Sequence, residues 1–327
     1  MKLSLKRIVR RVIIKLKLRA YLRPFYELFF IRKAKKNMKN YNPVSEIYGL
    51  FNEDRDFDIT VSFTTYPARI KSAVYVADAM LRQTLKPDRV ILVLAENEFL
   101  TKDALPEEYA NLEKRGLSIV FTEDLKPHKK YQYAMKNYPD SIIVTVDDDV
   151  LYQNNLLERL FTSYKKHPHA VSAIRTHRIK FFNKKLLPYN EWEFESLYTD
   201  KPVHDLLAVG VGGVLYPPGC LEKRNGLLFD TRAIKETCLY TDDIWLKVIE
   251  LLCNVPTVLV EQKPPEILYY PGSQKESLSS TNVDNNRNDK SIQNILCYLG
   301  INDEDLYNMS VRGNSDVNKE SYSEVNY

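Results

Sequence analysis

Residues 141–150 read SIIVTVDDDV. The run 142–146 suits a strand buried on both faces of a sheet, and three carboxylates, Asp147, Asp148 and Asp149, follow it without a break. Upstream of this strand, extended apolar runs alternate with helical periodicities. Residues 58–63 (DITVSF), 90–95 (VILVLA) and 118–121 (SIVF) read as strands. Residues 71–83, 106–115 and 129–137 read as helices, the first with Val74, Ala77 and Leu81 on one side. This β-α-β-α-β-α-β order predicts a mostly parallel sheet sandwiched between helices, with ligands gathering outside the carboxyl ends of the strands. The acidic triplet stands at such an end. Beyond it the sequence predicts a helix over 154–167, a short strand near 170–174, a glycine-rich run GVGGVLYPPG at 210–219, a helix over 242–253 and a strand at 257–260. The expected organisation is a basic arm (1–40), a linker (41–57), one α/β domain (58–272), and a polar loop, short helix and flexible tail (273–327).

With 327 residues, 44% hydrophobic and 28% charged, the composition is that of a globular protein with a real core. The net charge of +4 hides an uneven distribution. Residues 1–40 carry 14 Lys and Arg against the single acid Glu27, which leaves 33 basic and 42 acidic residues on the body. An acidic body excludes a nucleic-acid-binding surface. On the arm, Leu5, Ile8, Val9, Val12, Ile13 and Leu16 share one arc of a helix and Lys6, Arg7, Arg10, Arg11, Lys15 and Lys17 the other. Such a basic amphipathic helix is expected to lie on an anionic membrane surface, or else to pack on an acidic protein face. No uncharged apolar run reaches the roughly 20 residues that cross a bilayer. Cys220, Cys238, Cys253 and Cys297 form neither a CxxC nor a Cys/His pattern, and nothing resembles a secretory signal. The expected location is the cytoplasm, peripheral on the inner face of the cell membrane.

On a continued strand, Asp147 and Asp149 would converge while Asp148 faced away. Two convergent carboxylates repel unless they share a cation or one takes a proton. Mg²⁺ and Mn²⁺ favour oxygen ligands, and Mg²⁺ often uses only one or two protein carboxylates, drawing the rest from water and phosphates. The triplet therefore suggests a metal-bound diphosphate, set against the plainer reading of an acidic turn that solvates a strand end.

TTYPAR at 64–69, TVDDDV at 145–150, GVGGVLYPP at 210–218 and TDDIWL at 241–246, in that order, resemble the motifs of bacterial GT-A fold glycosyltransferases (family-two-like) of polysaccharide and lipopolysaccharide biosynthesis. The resemblance covers residues 58–289 and implies a Rossmann-like three-layer sandwich. It further implies a divalent ion, Mn²⁺ or Mg²⁺, on Asp149 with Asp147 as ribose or second metal contact, and Asp148 as a helper at the nucleotide or sugar. The donor would be a nucleoside-diphosphate sugar, UDP-linked by expectation, with Thr64, Thr65, Tyr66 and Arg69 cradling the nucleobase. Lys130, of the run His128-Lys129-Lys130, would meet phosphate, and Gly212 and Gly213, with Gly210, would lie beside the donor sugar. The acceptor would be a bacterial surface glycan or lipid-linked glycan.

The second acidic pair carries two readings. Thr241 is a good N-cap, and Asp242 and Asp243 suit the first turn of a helix. In the resembling enzymes the second acid of such a pair takes the proton from the acceptor hydroxyl, which makes Asp243 the expected base and Asp242 a positioning contact in an inverting transfer. Arg175, His177 and Arg178 are candidate phosphate or acceptor contacts, His204 with Asp205 a candidate third metal ligand, and Tyr189, Trp192 and Tyr198 candidate sugar-stacking surfaces. Asn288 and Asp289 resemble part of a closing segment. Two rival readings stay open. A haloacid-dehalogenase-type phosphatase would use Asp147 as nucleophile, although three strand-helix units precede it and no glycine-bearing turn follows. A non-catalytic, membrane-associated scaffold would keep the body without the chemistry.

Overall fold

The computed structural model describes residues 28, 29, 32, 49–222, 226–263, 267–270, 273 and 286–312. The amphipathic helix expected in the arm, most of the polar stretch after 273 and the tail lie outside the described residues. In chain order the body begins with β1 (Ile59–Thr64), α1 (Ile70–Met80), β2 (Arg89–Ala95), α2 (Glu108–Lys114), β3 (Leu117–Thr122), α3 (Lys129–Asn137) and β4 (Ile142–Thr145), which is the alternation read from the sequence. It continues with α4 (Leu156–Lys166), β5 (Val171–Ala173), β6 (Thr176–Arg178), the short pair β7 (Phe181–Phe182) and β8 (Lys185–Leu186), β9 (Leu206–Ala208) and β10 (Val214–Tyr216). The helices α5 (Thr231–Thr237) and α6 (Asp242–Leu252), the strand β11 (Thr257–Leu259), and the helices α7 (Arg287–Leu299) and α8 (Asp303–Ser310) complete it.

Seven strands form one sheet in the order β11-β5-β10-β4-β1-β2-β3. β1 pairs in parallel with both β2 and β4, and β2 with β3, whereas β10 runs antiparallel between β4 and β5. The chain thus builds outward from β1 through β2 and β3, then returns to the other side of β1 as β4. The direction of construction reverses between β1 and β4, and a crevice opens there beyond their carboxyl ends. Ser62 lies beside Thr145, so residues 64–69 and 147–149 leave the sheet side by side.

Alternation along the strands builds a core on each face. Ile142 and Val144 pack with Val74, Ala77, Leu112 and Leu160 of α1, α2 and α4. Ile143, Val214 and Tyr216 pack with Tyr131, Trp245, Ile249 and Ile295 of α3, α6 and α7. The result is an α/β three-layer, Rossmann-like sandwich, as expected. Two features went unread in the sequence. Residues 214–216 of the glycine-rich run form an antiparallel strand inside the sheet. Two helices, rather than one short one, follow the polar stretch, and Ile292, Leu306 and Met309 join the core. Among the described residues no helix is long and apolar enough to cross a membrane.

Buried polar groups tie the layers. Asp78 of α1 accepts from Arg82 (2.7 Å) and from Arg115 just past α2 (2.6 Å). His128, fully buried ahead of α3, spans to the end of α5: its Nε2–H donates to the Cys238 carbonyl and its Nδ1 accepts from the Tyr131 hydroxyl, both at 2.9 Å. Burial pushes its pKa down to about 4. The unfolded chain takes up this proton first, so the stability tied to neutral His128 is full above about pH 6.5 and is lost as the pH falls towards 4, by up to about 3 kcal/mol. His128→Gln should therefore flatten the fall in denaturant midpoint between pH 6.5 and 4; an unchanged slope would remove His128 from the account.

Candidate active site

The crevice is a cleft of about 840 Å³. β1 delivers Thr64 to its mouth, and the turn after it presents Thr65, Tyr66 and Arg69. β4 delivers Asp147, Asp148 and Asp149; α3 contributes Lys130; the segment before β10 contributes Gly210; and the first turn of α6 contributes Asp242 and Asp243. The sequence-predicted residues on the strand ends, on α3 and on α6 thus share one cavity.

The triplet does not continue the strand. β4 ends at Thr145, and Asp148 and Asp149 sit in a turn, so the strict in-out alternation expected for them fails. Asp148 does not face away. It is buried, accepting from the Thr65 hydroxyl (2.6 Å) and from Arg69 (3.0 Å). The same Arg69 nitrogen lies 3.1 Å from Asp149, and the other terminal nitrogen of Arg69 donates to the Ser273 carbonyl at 2.9 Å. Asp147 points the other way and accepts from Lys130 Nζ at 2.9 Å. The hydroxyl of Thr64 is spent on the Val93 carbonyl.

Lys130 sits at the floor of the cleft, between the two acidic sites. Its Nζ is 2.9 Å from Asp147 and 3.0 Å from Asp242. Burial opposes its charge, but Asp147, Asp242 and Asp243 together hold it protonated well above the ordinary lysine value. Its neighbours separate: Lys129 pairs with Asp124 at 2.7 Å, and His128 belongs to the core. Burial alone would raise Asp242; Lys130 and His128 bring it below the usual carboxylate range. Asp243 goes the other way, raised by burial and then by the charge of Asp242. Both oxygens of Asp243 accept from the Gly210 N–H, at 3.1 and 3.2 Å. Thr241 does not cap α6 with its side chain; its hydroxyl donates to the Cys238 carbonyl.

The glycines divide. A Cβ on Gly210 would stand 3.2 Å from Asp243, 3.3 Å from Asp147 and 3.4 Å from Lys130, so the backbone nestles among three charged groups only because the side chain is missing. Gly212 and Gly213 do not reach the cleft. Gly212 packs on Ile174 and Ile267, and Gly213 on Leu156 and Leu160, at φ of +106° and +103°. They shape the chain entering β10 instead of facing a donor sugar. His204 and Asp205 also lie outside the cleft, Asp205 accepting from Arg178 at 3.0 Å.

The site is short of positive charge. Five carboxylates, at 147, 148, 149, 242 and 243, share Lys130 and Arg69, because the other basic residues lining the cleft are paired elsewhere: Lys126 with Glu98 and Asp124, Lys129 with Asp124, and Arg175 with Glu195. Burial first, then the neighbouring acids, raises Asp148 and pushes Asp149 up to about 6, despite Arg69. That surplus suits a divalent cation. Among the described residues no three His, Cys, Asp or Glu side chains form a metal-binding group, so an ion here would take one or two carboxylates and complete its shell from water and a ligand's phosphates.

A further wall was only partly legible. His177, Tyr189 and Arg175 of the cleft were singled out in the sequence; Phe194, Tyr240 and Tyr269 were not, and as lone aromatics in loops they carry no local signal. Trp192 is core, its indole N–H donating to the Leu187 carbonyl, and Tyr198 packs under Arg178.

No family model matches the chain, and a search of curated proteins finds no match. Among solved structures it is similar to the mannosyltransferase PcManGT from Pyrobaculum calidifontis in complex with GDP-Man and Mn²⁺, with 15% identity, 91% of this chain and 79% of that one covered, and a TM-score of 0.49. It is also similar to CMP:2-keto-3-deoxy-manno-octonic acid synthetase complexed with CTP (10% identity, 63% and 89% covered, TM-score 0.38) and to the bifunctional glycosyltransferase WbbM (12%, 63% and 39%, 0.31). Likenesses this distant assign neither family nor activity; the cleft itself carries the functional reading.

The two kinds of glycine separate by experiment. Gly213→Ala should lower stability by about 1–3 kcal/mol, the cost of a strained positive φ in a packed site, and leave ligand affinity unchanged. Gly210→Ala should lower ligand affinity or turnover with a smaller loss in denaturation midpoint. The reverse pattern would return Gly213 to the site.

Proposed function

We propose that the chain is a divalent-cation-dependent glycosyltransferase of GT-A type, moving a sugar from a nucleoside-diphosphate sugar to an acceptor hydroxyl with inversion. The observation that carries this reading is Lys130, buried at the switch point and shared by a carboxylate of each acidic site. This arrangement puts a cation-seeking cluster and a raised, neutral-pH carboxylate within one cavity.

In this reading the Thr64–Arg69 turn holds the nucleoside, with UDP the first nucleotide to try, and Asp149 and Asp147 hold Mn²⁺ or Mg²⁺. The bound ion supplies the charge that a departing nucleoside diphosphate needs. Lys130 adds a fixed positive charge beside Asp147, where it costs no reorganisation during transfer. Asp243 takes the acceptor proton as the acceptor oxygen bonds to the anomeric carbon and the bond from that carbon to the diphosphate breaks. With its pKa raised to about 8, Asp243 in its ionised form is a stronger proton acceptor than an ordinary carboxylate, and the Gly210 N–H fixes its orientation. Asp242, held ionised by Lys130, sustains the raised pKa of Asp243. Attachment of the 1–40 arm to an anionic membrane, and a surface or lipid-linked glycan as the acceptor, are parts of the same proposal.

A panel of nucleotide sugars with Mn²⁺ should contain one that raises the melting temperature of the wild type and not of Asp149→Ala; saturation at 100 times Kd corresponds to about 2.7 kcal/mol. A donor that stabilises both equally would contradict the metal assignment. Asp243→Asn should retain donor affinity and lose about 10²–10⁴ in kcat. Loss confined to KM would make Asp243 an acceptor contact and not the base.

A further inference from the structure

One wall of the cleft is built from groups that the transfer chemistry does not use. Phe194 is 39% exposed, whereas the segment that carries it is pinned on both sides. Glu193 exchanges backbone hydrogen bonds with Arg178 (2.9 and 3.1 Å), Ser196 N–H donates to the Thr176 carbonyl (3.0 Å), and Glu195 N–H donates to His177 Nδ1 (3.0 Å). Glu195 itself sits at φ +50°, a left-handed conformation that costs a non-glycine residue energy. A strained, well-anchored loop that leaves a large apolar ring facing a cleft is a presenting device rather than an incidental exposure.

The ring is not alone. His177 lies 4.5 Å from it, centroid to centroid, and Tyr189 meets it edge-on at 5.4 Å. Burial and Arg175 push the His177 pKa down to about 4, so the imidazole, itself buried, backs Phe194 as a neutral ring near pH 7. The Tyr189 N–H donates to Asp289 in the first turn of α7 (2.8 Å), and the next residue back, Asn288, lines the same cleft. Asn288 is 7% exposed. Asp243 lines the same cleft, which puts this wall in one cavity with the proposed base.

We propose that His177, Tyr189, Phe194 and Asn288 form the acceptor subsite, and that what they take is a pyranose ring of a saccharide. The inference rests on the transferase reading of the cleft. The C–H hydrogens on one face of a pyranose are weakly positive and meet the negative face of an aromatic ring. Each sugar hydroxyl both donates and accepts, and a carboxamide does the same, which an arginine or lysine cannot. The cation lining this wall, Arg175, is paired with Glu195 at 3.1 Å, and an apolar lipid tail would give the Asn288 carboxamide no hydrogen-bond partner.

The test is saturation-transfer-difference NMR with methyl glycosides of gluco, galacto and manno configuration, in the presence of UDP and Mn²⁺, with UDP binding read in the same sample. At least one glycoside should receive saturation at its ring C–H protons. Phe194→Leu, which keeps an apolar side chain and loses the ring, and Asn288→Ala should each weaken it by about 5-fold, while Phe194→Tyr stays within about 2-fold of the wild type. Wild type that engages no glycoside, or variants that bind glycosides as the wild type does, would overturn the proposal. So would inorganic diphosphate proving to be the ligand that Asn288→Ala loses. Absence of UDP binding with glycosides still engaged would strike the nucleotide-sugar reading and leave the saccharide wall standing.

Discussion

The Lys130 ammonium group, buried between Asp147 and Asp242, is the contact on which the site depends. Without a cation at that point, the carboxylates at the end of β4 and at the start of α6 would repel across the floor of the cleft. Removing one partner of a buried pair typically costs about 3–5 kcal/mol, because the remaining charge is left without compensation. The same contact makes two distant motifs one electrostatic unit. It keeps Asp242 ionised, and Asp242 in turn raises Asp243.

Arg69 has a parallel role at the cleft mouth, where it holds Asp148 and Asp149. Yet Lys130 and Arg69 are the cations that pair with the five carboxylates of the two acidic sites, and Asp148, Asp149 and Asp243 are all raised by burial. A core built for stability alone would not gather such groups. Sites that bind charged ligands keep this kind of unrelieved repulsion, and the surrounding three-layer packing supports it.

The topology explains why the groups meet. β1 and β4 are neighbours because the chain reverses its direction of construction there, so the TTYPAR turn and the acidic turn leave adjacent strand ends. β10, antiparallel to β4, enters the sheet from the same edge and brings Gly210 against Asp243 and Asp147. Legibility in the sequence follows from this division. The strand–helix order and the carboxyl-end position of the triplet depend on hydrophobic periodicity, which is local, and they were readable. β10 was not, since three residues behind a pair of glycines carry too short a pattern. The aromatic wall was readable only in part: His177 and Tyr189 were candidates, but Phe194 joins them in a common face only when its loop is folded on β6.

The sequence by itself determined the α/β layering, the acidic ends of β4 and α6, and the basic residue at the head of α3. Tertiary structure alone decided the partnerships: Asp148 with Thr65 and Arg69, Asp147 with Lys130, Asp243 with Gly210, and Gly212 and Gly213 with the core. The physical reason is that a side chain's direction just past a strand is set by the turn it enters, not by the strand's alternation. Which opposite charge it then meets is set by crossovers that bring together residues as far apart as Arg69 and Asp148.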